Sequence, residues 1–263
     1  MDNDIEKKYT ESISSLMLLY MKNKKIGYIH SIFKDSLNIK FGENLIYISG
    51  LKKNLVSFGC RISDKKIEKI IQKAKIGDIV IKKDEKLVFY TELGLETVYL
   101  PLNRTKKLHI PFIKNRKKVF ENIMEKIQNI DFESKTGLEY EKYEIEEKFM
   151  TGLTEENQKY FTGRGEGLTP SGDDILMGYS FICSLCGEKI ELLYGSLTTD
   201  ISRQYFDAFN KGYVSQNLLN LLKYDTEKAV EKLTKTGHTS GYDTLLGVYL
   251  GIKKKLQKME EIL

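Results

Sequence analysis

Gly163-Arg-Gly-Glu-Gly-Leu-Thr-Pro-Ser-Gly-Asp-Asp-Ile-Leu-Met-Gly178 gathers glycines, hydroxyls, an arginine and three carboxylates into sixteen positions. It runs directly into an apolar segment, Ile175 to Leu185, whose length and composition predict a buried helix. A glycine-rich turn that opens a buried helix is the pattern of a binding loop at a helix N-terminus, where unpaired amides and the positive end of the helix dipole collect.

The same corner recurs. Thr169-Pro-Ser-Gly-Asp-Asp-Ile-Leu-Met-Gly178 aligns without a gap on His238-Thr-Ser-Gly-Tyr-Asp-Thr-Leu-Leu-Gly247, at an offset of 240 − 171 = 69 residues. Ser171 with Asp174, and Ser240 with Asp243, fit the Ser-x-x-Asp spacing of a capping box, and capping alone accounts for those four residues. It does not account for the glycine after each serine, a poor helix former, nor for Asp173, the Gly163–Gly167 run or His238. Glycine there fits a backbone that turns tightly and presents its amides to a close ligand. Gly178, Gly247 and Gly251 let helix axes approach, so the spacing predicts two helices packed together with both N-termini at one cleft. Such a cleft favours a small anion, a carboxylate or a phosphate.

From this centre the pattern is helical to the C-terminus, with segments at 113–129, 139–149, 154–161, 175–186, 190–210, 214–222, 226–236 and 242–263. Toward the N-terminus it changes. Short β-branched and aromatic runs at 26–33, 36–41, 45–49, 55–62, 79–82, 87–91 and 97–100, broken by turn signals, predict strands, with one short helix at 64–75. Residues 5–24 read as an amphipathic helix, with Ile5, Ile13, Leu16, Met17, Leu19 and Tyr20 on or near one face. The expected fold class is α+β: a small antiparallel β-barrel-like domain over residues 1–110, then a larger all-α domain over 111–263. The polar segment Leu102–Pro111 marks the boundary, and its Arg104, Lys106, Lys107 and His109 read as a solvated connection.

Composition narrows the functional classes. The net charge of +5 is spread rather than clustered, which argues against a nucleic-acid surface. The sequence opens with acidic residues where a secretory signal is basic, and no apolar run reaches the roughly 18 residues that span a bilayer. Neither nucleic acid nor membrane is an expected partner. Three unevenly placed cysteines build no disulfide framework, so the expected location is the cytoplasm. Cys183 and Cys186 lie within an apolar run and read as core residues rather than half of a zinc site. His30 reads as structural; Ser202 and Arg203, early on a long helix, could face the cleft, and solvent exposure is the reading preferred for them.

The candidate binding residues are Gly165, Glu166, Gly167, Thr169, Ser171, Gly172 and Asp174 at the first corner, and Thr239, Ser240, Gly241 and Asp243 at the second. Arg164, Asp173 and His238 are the candidate catalytic groups; for His238, general acid–base work and plain hydrogen bonding to the loop both stand. Adjacent carboxylates repel a bound anion unless a cation intervenes. Either Arg164 supplies that charge or Mg²⁺ does, with Asp173 and Asp174 as its ligands.

The string Gly-x-Gly-x-Gly-Leu-Thr-Pro-Ser-Gly-Asp-Asp-x-Leu-x-Gly over 163–178, followed by Gly-His-x-Ser-Gly-x-Asp-x-Leu-x-Gly over 237–247, resembles the AllH-like family, as does the strand Ile29–Phe33. The resemblance implies a subunit of a multi-protein oxamate carbamoyltransferase in anaerobic purine or allantoin breakdown. Its other subunits would be partners, and oxalurate, oxamate and carbamoyl phosphate its small anionic substrates. On that reading Arg164 and the helix N-termini hold the anions, loop amides stabilise charge on the carbamoyl oxygen, and His238 or a loop carboxylate manages the proton on the amide nitrogen. The Ser-Thr-Arg-Thr phosphate motif of aspartate and ornithine carbamoyltransferases is missing from this chain, so any transfer chemistry is built differently. Two alternatives remain open on the residues alone. One is a non-catalytic scaffold subunit; the other is a Mg²⁺-dependent hydrolase of a phosphorylated or ribosylated small molecule.

Overall fold

The computed structural model describes residues 10–223 and 225–260, and they form two compact units, one ending at Leu108 and the other beginning at His109. In the first unit the strands are β1 (Ser12–Ser14), β2 (Ile26–Ile32), β3 (Ser36–Phe41), β4 (Asn44–Gly50), β5 (Gly59–Ile62), β6 (Ile79–Lys83), β7 (Lys86–Thr91), β8 (Gly94–Tyr99) and β9 (Thr105–Lys106). They build one sheet in the order β8-β7-β6-β2-β3-β4-β5-β1-β9. Two short helices, α1 (Ser15–Tyr20) and α2 (Asp64–Ile71), accompany it. Alternation along the strands sets the faces: Leu37 opposite Ile48, Ile39 opposite Ile46 and Val80 opposite Phe89 are fully buried pairs. On the other face Tyr28, Ile79, Tyr90 and Leu95 lie in register across four strands, and all four are exposed.

This sheet overturns the expected fold class. A small antiparallel barrel followed by an all-α domain is replaced by a large, curled nine-stranded sheet, open like a half-barrel, with β8 and β9 at its edges. It is mixed, because β4 pairs with β5 in parallel and β1 pairs with β9 in parallel. The two strands that enlarge it, β1 and β9, arise where a helix and a linker were expected. At three and two residues they are too short to show alternation, and only their pairing partners define them. The helix expected over 5–24 is reduced to Ser15–Tyr20, with Ile5 outside the described residues.

Nor is the second unit simply all-α. Its helices are α3 (Arg116–Ile127), α4 (Phe132–Lys135), α5 (Ile145–Thr151), α6 (Glu155–Phe161), α7 (Ser171–Leu185), α8 (Asp200–Asn210), α9 (Gln216–Asn220), α10 (Thr226–Thr234) and α11 (Ser240–Glu260). His109 and Tyr213 join in an isolated antiparallel bridge, and their rings lie 3.8 Å apart. No helix covers 190–199, where one was expected, and α8 begins only after Thr199 caps it. No described helix is long and apolar enough to cross a membrane.

α7 is the axis of this unit. Every residue of it except Asp174 and Ser184 is buried, as an apolar segment without a polar face requires. α11 packs along it at two glycines. A Cβ on Gly178 would stand 2.1 Å from the Thr244 carbonyl oxygen, and one on Gly247 2.0 Å from that of Ile175. Thr244 is Ile175 shifted by 69 residues, and Gly247 is Gly178 shifted by 69, so the two contacts are copies of each other. A third contact joins the equivalent residues Ile182 and Gly251. The helices therefore run parallel about an approximate two-fold, with both N-termini at the same end.

Candidate functional site

That common end carries both corners. Gly163, Gly165 and Gly167 have φ of +76°, +101° and +90°, a left-handed alternation that curls the loop and places Arg164 and Glu166 outward. The loop closes where the Gly172 amide donates to the Arg164 carbonyl at 2.9 Å. At the second corner the Gly241 amide donates to the Thr236 carbonyl at 3.0 Å. Neither glycine amide is therefore turned to a ligand. Both glycines are needed for packing instead: a Cβ would stand 2.0 Å from the Phe161 carbonyl oxygen at Gly172, and 1.9 Å from that of Leu233 at Gly241.

The serines are not caps. Pro170 occupies the N-cap of α7 and its carbonyl accepts from the amides of Asp173 and Asp174, so Ser171 lies inside the helix. In the second corner the Thr239 carbonyl accepts from Asp243, and Ser240 is already helical. Their hydroxyls face inward. Ser171 Oγ and Thr239 Oγ1 both crowd Gly137, where a Cβ would meet them at 2.2 and 3.0 Å, and Thr169 Oγ1 lies 3.0 Å from Ser240 Oγ across the two corners.

The three aspartates separate into two roles, because consecutive helical residues point about 100° apart. Asp173 faces the loop and the segment before α8. Its Oδ1 accepts from the Gly163 amide at 2.7 Å and its Oδ2 from the Thr198 hydroxyl. Burial raises its pKa, and the bonds from Thr198, Gly163 and Ser202 pull it partly back. Asp173 is thus a tie between elements. Asp174 and Asp243, equivalent under the 69-residue offset, sit on the stripes that face each other, four residues before Gly178 and Gly247. Thr136 Oγ1 and the Gly137 amide donate to Asp243 Oδ1 at 2.6 and 3.0 Å. The hydroxyls of Ser240 and Thr169, 3.0 Å from each other, act on the Asp174 carboxyl. Among the described residues neither Oδ2 atom has a hydrogen-bond partner, though both are buried, and Asp243 as a whole is 0% exposed. Burial pushes the Asp174 pKa well above the carboxylate range; the hydroxyl bonds lower it, and the charges of Asp243 and Asp173 raise it further.

The remaining candidates lie at the rim. Arg164 is exposed and turned back on α6, its Nε donating to the Tyr160 carbonyl at 3.1 Å and its guanidinium 5.7 Å from the Tyr160 ring centre. Glu166 and His238 are exposed on their loops. Among the described residues no three His, Cys, Asp or Glu side chains converge as a metal cluster. Cys183 is buried and its thiol pushed up to about 12 by that burial, as expected of a core residue.

Four contributors escape a reading of the motif: Thr136, Gly137, Thr198 and Ser202. Ser202, expected in solvent, is buried against Asp173. The Thr-Gly pair at 136–137, just past α4, was the one local signal for the first two.

A family model described as oxamate carbamoyltransferase subunit AllH matches residues 161–252, a span that holds both corners, α7 and most of α11. No solved structure matches the chain.

Proposed function

We propose that this chain serves as a subunit of an oxamate carbamoyltransferase, and that the paired corners are where it meets its small anionic substrate. The observation that carries the reading is the placement of the family match, which falls on the two corners and the helices that join them rather than on the sheet. The chemistry suits the site. In the phosphorolytic direction a phosphate oxygen attacks the carbamoyl carbon of oxalurate, the bond from that carbon to the amide nitrogen breaks, and the departing nitrogen takes a proton to give oxamate. Carbamoyl phosphate is the other product. Each of these species carries a carboxylate or a phosphate.

Arg164 is the group to clamp a carboxylate, since it is exposed beside the loop and its contacts among the described residues are a carbonyl and a ring face, with no carboxylate partner. His238, at the position equivalent to Thr169 in the other corner, is placed at the rim to carry the proton. A subunit also needs partners, and the exposed row Tyr28, Ile79, Tyr90 and Leu95 offers them an apolar face. The reaction belongs to purine or allantoin breakdown in a cytoplasmic setting. The test is reconstitution with the partner subunits and measurement of carbamoyl phosphate formed from oxalurate and phosphate. Arg164→Gln and His238→Gln are each expected to lower kcat/KM by about 10²-fold or more; unchanged turnover in both would remove the corners from the reaction.

A further inference from the structure

We infer that Asp174 and Asp243 together hold one divalent, oxygen-seeking cation of the Mg²⁺ or Mn²⁺ class, and that Asp173 takes no part in it. Two carboxyl groups, equivalent under the 69-residue offset, stand at the same end of a helix pair; each has one buried oxygen without a hydrogen-bond partner among the described residues, and Thr136 and Gly137 hold Asp243 in place. An ionised oxygen buried without a partner is costly, and a coordinated metal is one of the few ways to satisfy it. Asp243 decides the matter. It is 0% exposed and its Oδ1 is fixed by Thr136 and Gly137, which leaves its buried Oδ2 as an acceptor with no hydrogen-bond partner among the described residues.

The donor set is oxygen only: two carboxylates, with the Thr169 and Ser240 hydroxyls beside them. Mg²⁺ is commonly bound by one or two carboxylates, with water and substrate oxygens completing its shell, so the want of a third acidic ligand is no obstacle. The ion also resolves the conflict in the sequence between carboxylates and an anionic ligand, because it would present a positive charge where Asp174 alone would repel. Asp173 is excluded by its own bonds, both of its oxygens being occupied by Gly163 and Thr198.

This inference rests on the corners being the ligand site, not on carbamoyl transfer. The experiment is titration of the purified full chain with Mn²⁺, followed by calorimetry and by electron paramagnetic resonance of free Mn²⁺, with Mg²⁺ as competitor. Wild type is expected to take up one Mn²⁺ per chain and to gain thermal stability with it. Asp174→Asn and Asp243→Asn should each weaken binding at least tenfold, and Asp173→Asn should change it less than threefold. If Asp243→Asn does not fold, Asp174→Asn at the partly exposed position decides alone. No saturable uptake by wild type, or wild-type uptake by Asp174→Asn, overturns the site, as does loss of uptake in a folded Asp173→Asn. Uptake by a chain that forms only inactive complexes would sink the carbamoyltransferase reading and leave this one standing; a complex active without uptake would do the reverse.

Discussion

The two ends of the α7–α11 pair are built on opposite principles. Where the helices begin, two carboxyl groups are buried, each with one oxygen that has no hydrogen-bond partner among the described residues. Just past the end of α7, Glu188 receives a hydrogen bond from Lys255 of α11, whose side chain is 7% exposed. The second arrangement is what stability alone selects: opposite charges, a direct bond, and a partner with access to water. The first is tolerated because the helices are held elsewhere, and local conflict kept within a well-packed frame is a mark of sites that bind or react. What differs between the ends is the arrangement of charge: two carboxyl groups at one, an acid–base pair at the other.

The comparison can be broken from the middle outward. Valine at Gly178 or at Gly247 puts a side chain into the partner's carbonyl, so either substitution is expected to cost about 3 kcal/mol or more and to lower Tm steeply. Because the two contacts are copies, their losses should agree within about 1 kcal/mol on chemical denaturation; a large inequality would show that the helices are not related as described. Next in size is the near end. In chelator, Asp174→Asn should raise stability by about 1 to 2 kcal/mol, since it replaces a carboxyl group whose ionisation burial opposes with a neutral amide of the same shape. A loss instead would mean that the pair is already neutralised by the fold.

The far end gives the smallest effect and the clearest pH dependence. Lys255→Met should cost about 1 kcal/mol at neutral pH, a figure held down by solvent screening because Glu188 is 45% exposed. Although burial pushes the Glu188 carboxyl up, the Lys255 bond holds it below its usual value; burial pushes Lys255 down, yet the bond it donates to Glu188 raises it. A lowered acid stabilises above its unfolded pKa, about 4.3, and loses this as pH falls through its folded value. A raised base stabilises below its unfolded pKa, about 10.4, and loses this as pH climbs through its folded value. The gap between wild type and Lys255→Met should therefore be widest from about pH 5 to 10 and narrow on both sides. Thermal melts across that range check it, and a flat gap would show that packing of the lysine stem carries the effect.

Much of this geometry could be read before any coordinates. The 69-residue offset and the glycines at 178, 247 and 251 state that two helices meet closely, and periodicity located seven of the strands to within a few residues. What stayed hidden follows from distance along the chain and from direction. β1 and β9 exist only because Cys60, Arg61 and Ser12–Ser14 come together, which no local window shows. Ser171 and Ser240 satisfy a capping pattern, but Pro170 takes the cap position first, because a proline before the helix already fixes the chain and offers its carbonyl. Asp173 and Asp174 look alike in sequence and are parted by a single helical step. Thr136 and Gly137 reach Asp243 from 107 and 106 positions away, and only a structure places them.

The glycine contacts at 178 and 247 have one more consequence. At these two contacts main chain rests on main chain, so no side chain there can rotate to widen or narrow the spacing, and for the proposed cation the helix pair is a calliper set by peptide geometry. A calliper measures radius. The ranking of cations at this end should follow ionic size more closely than charge density, and a single methyl group added at Gly251, beside Ile182, would reset the scale.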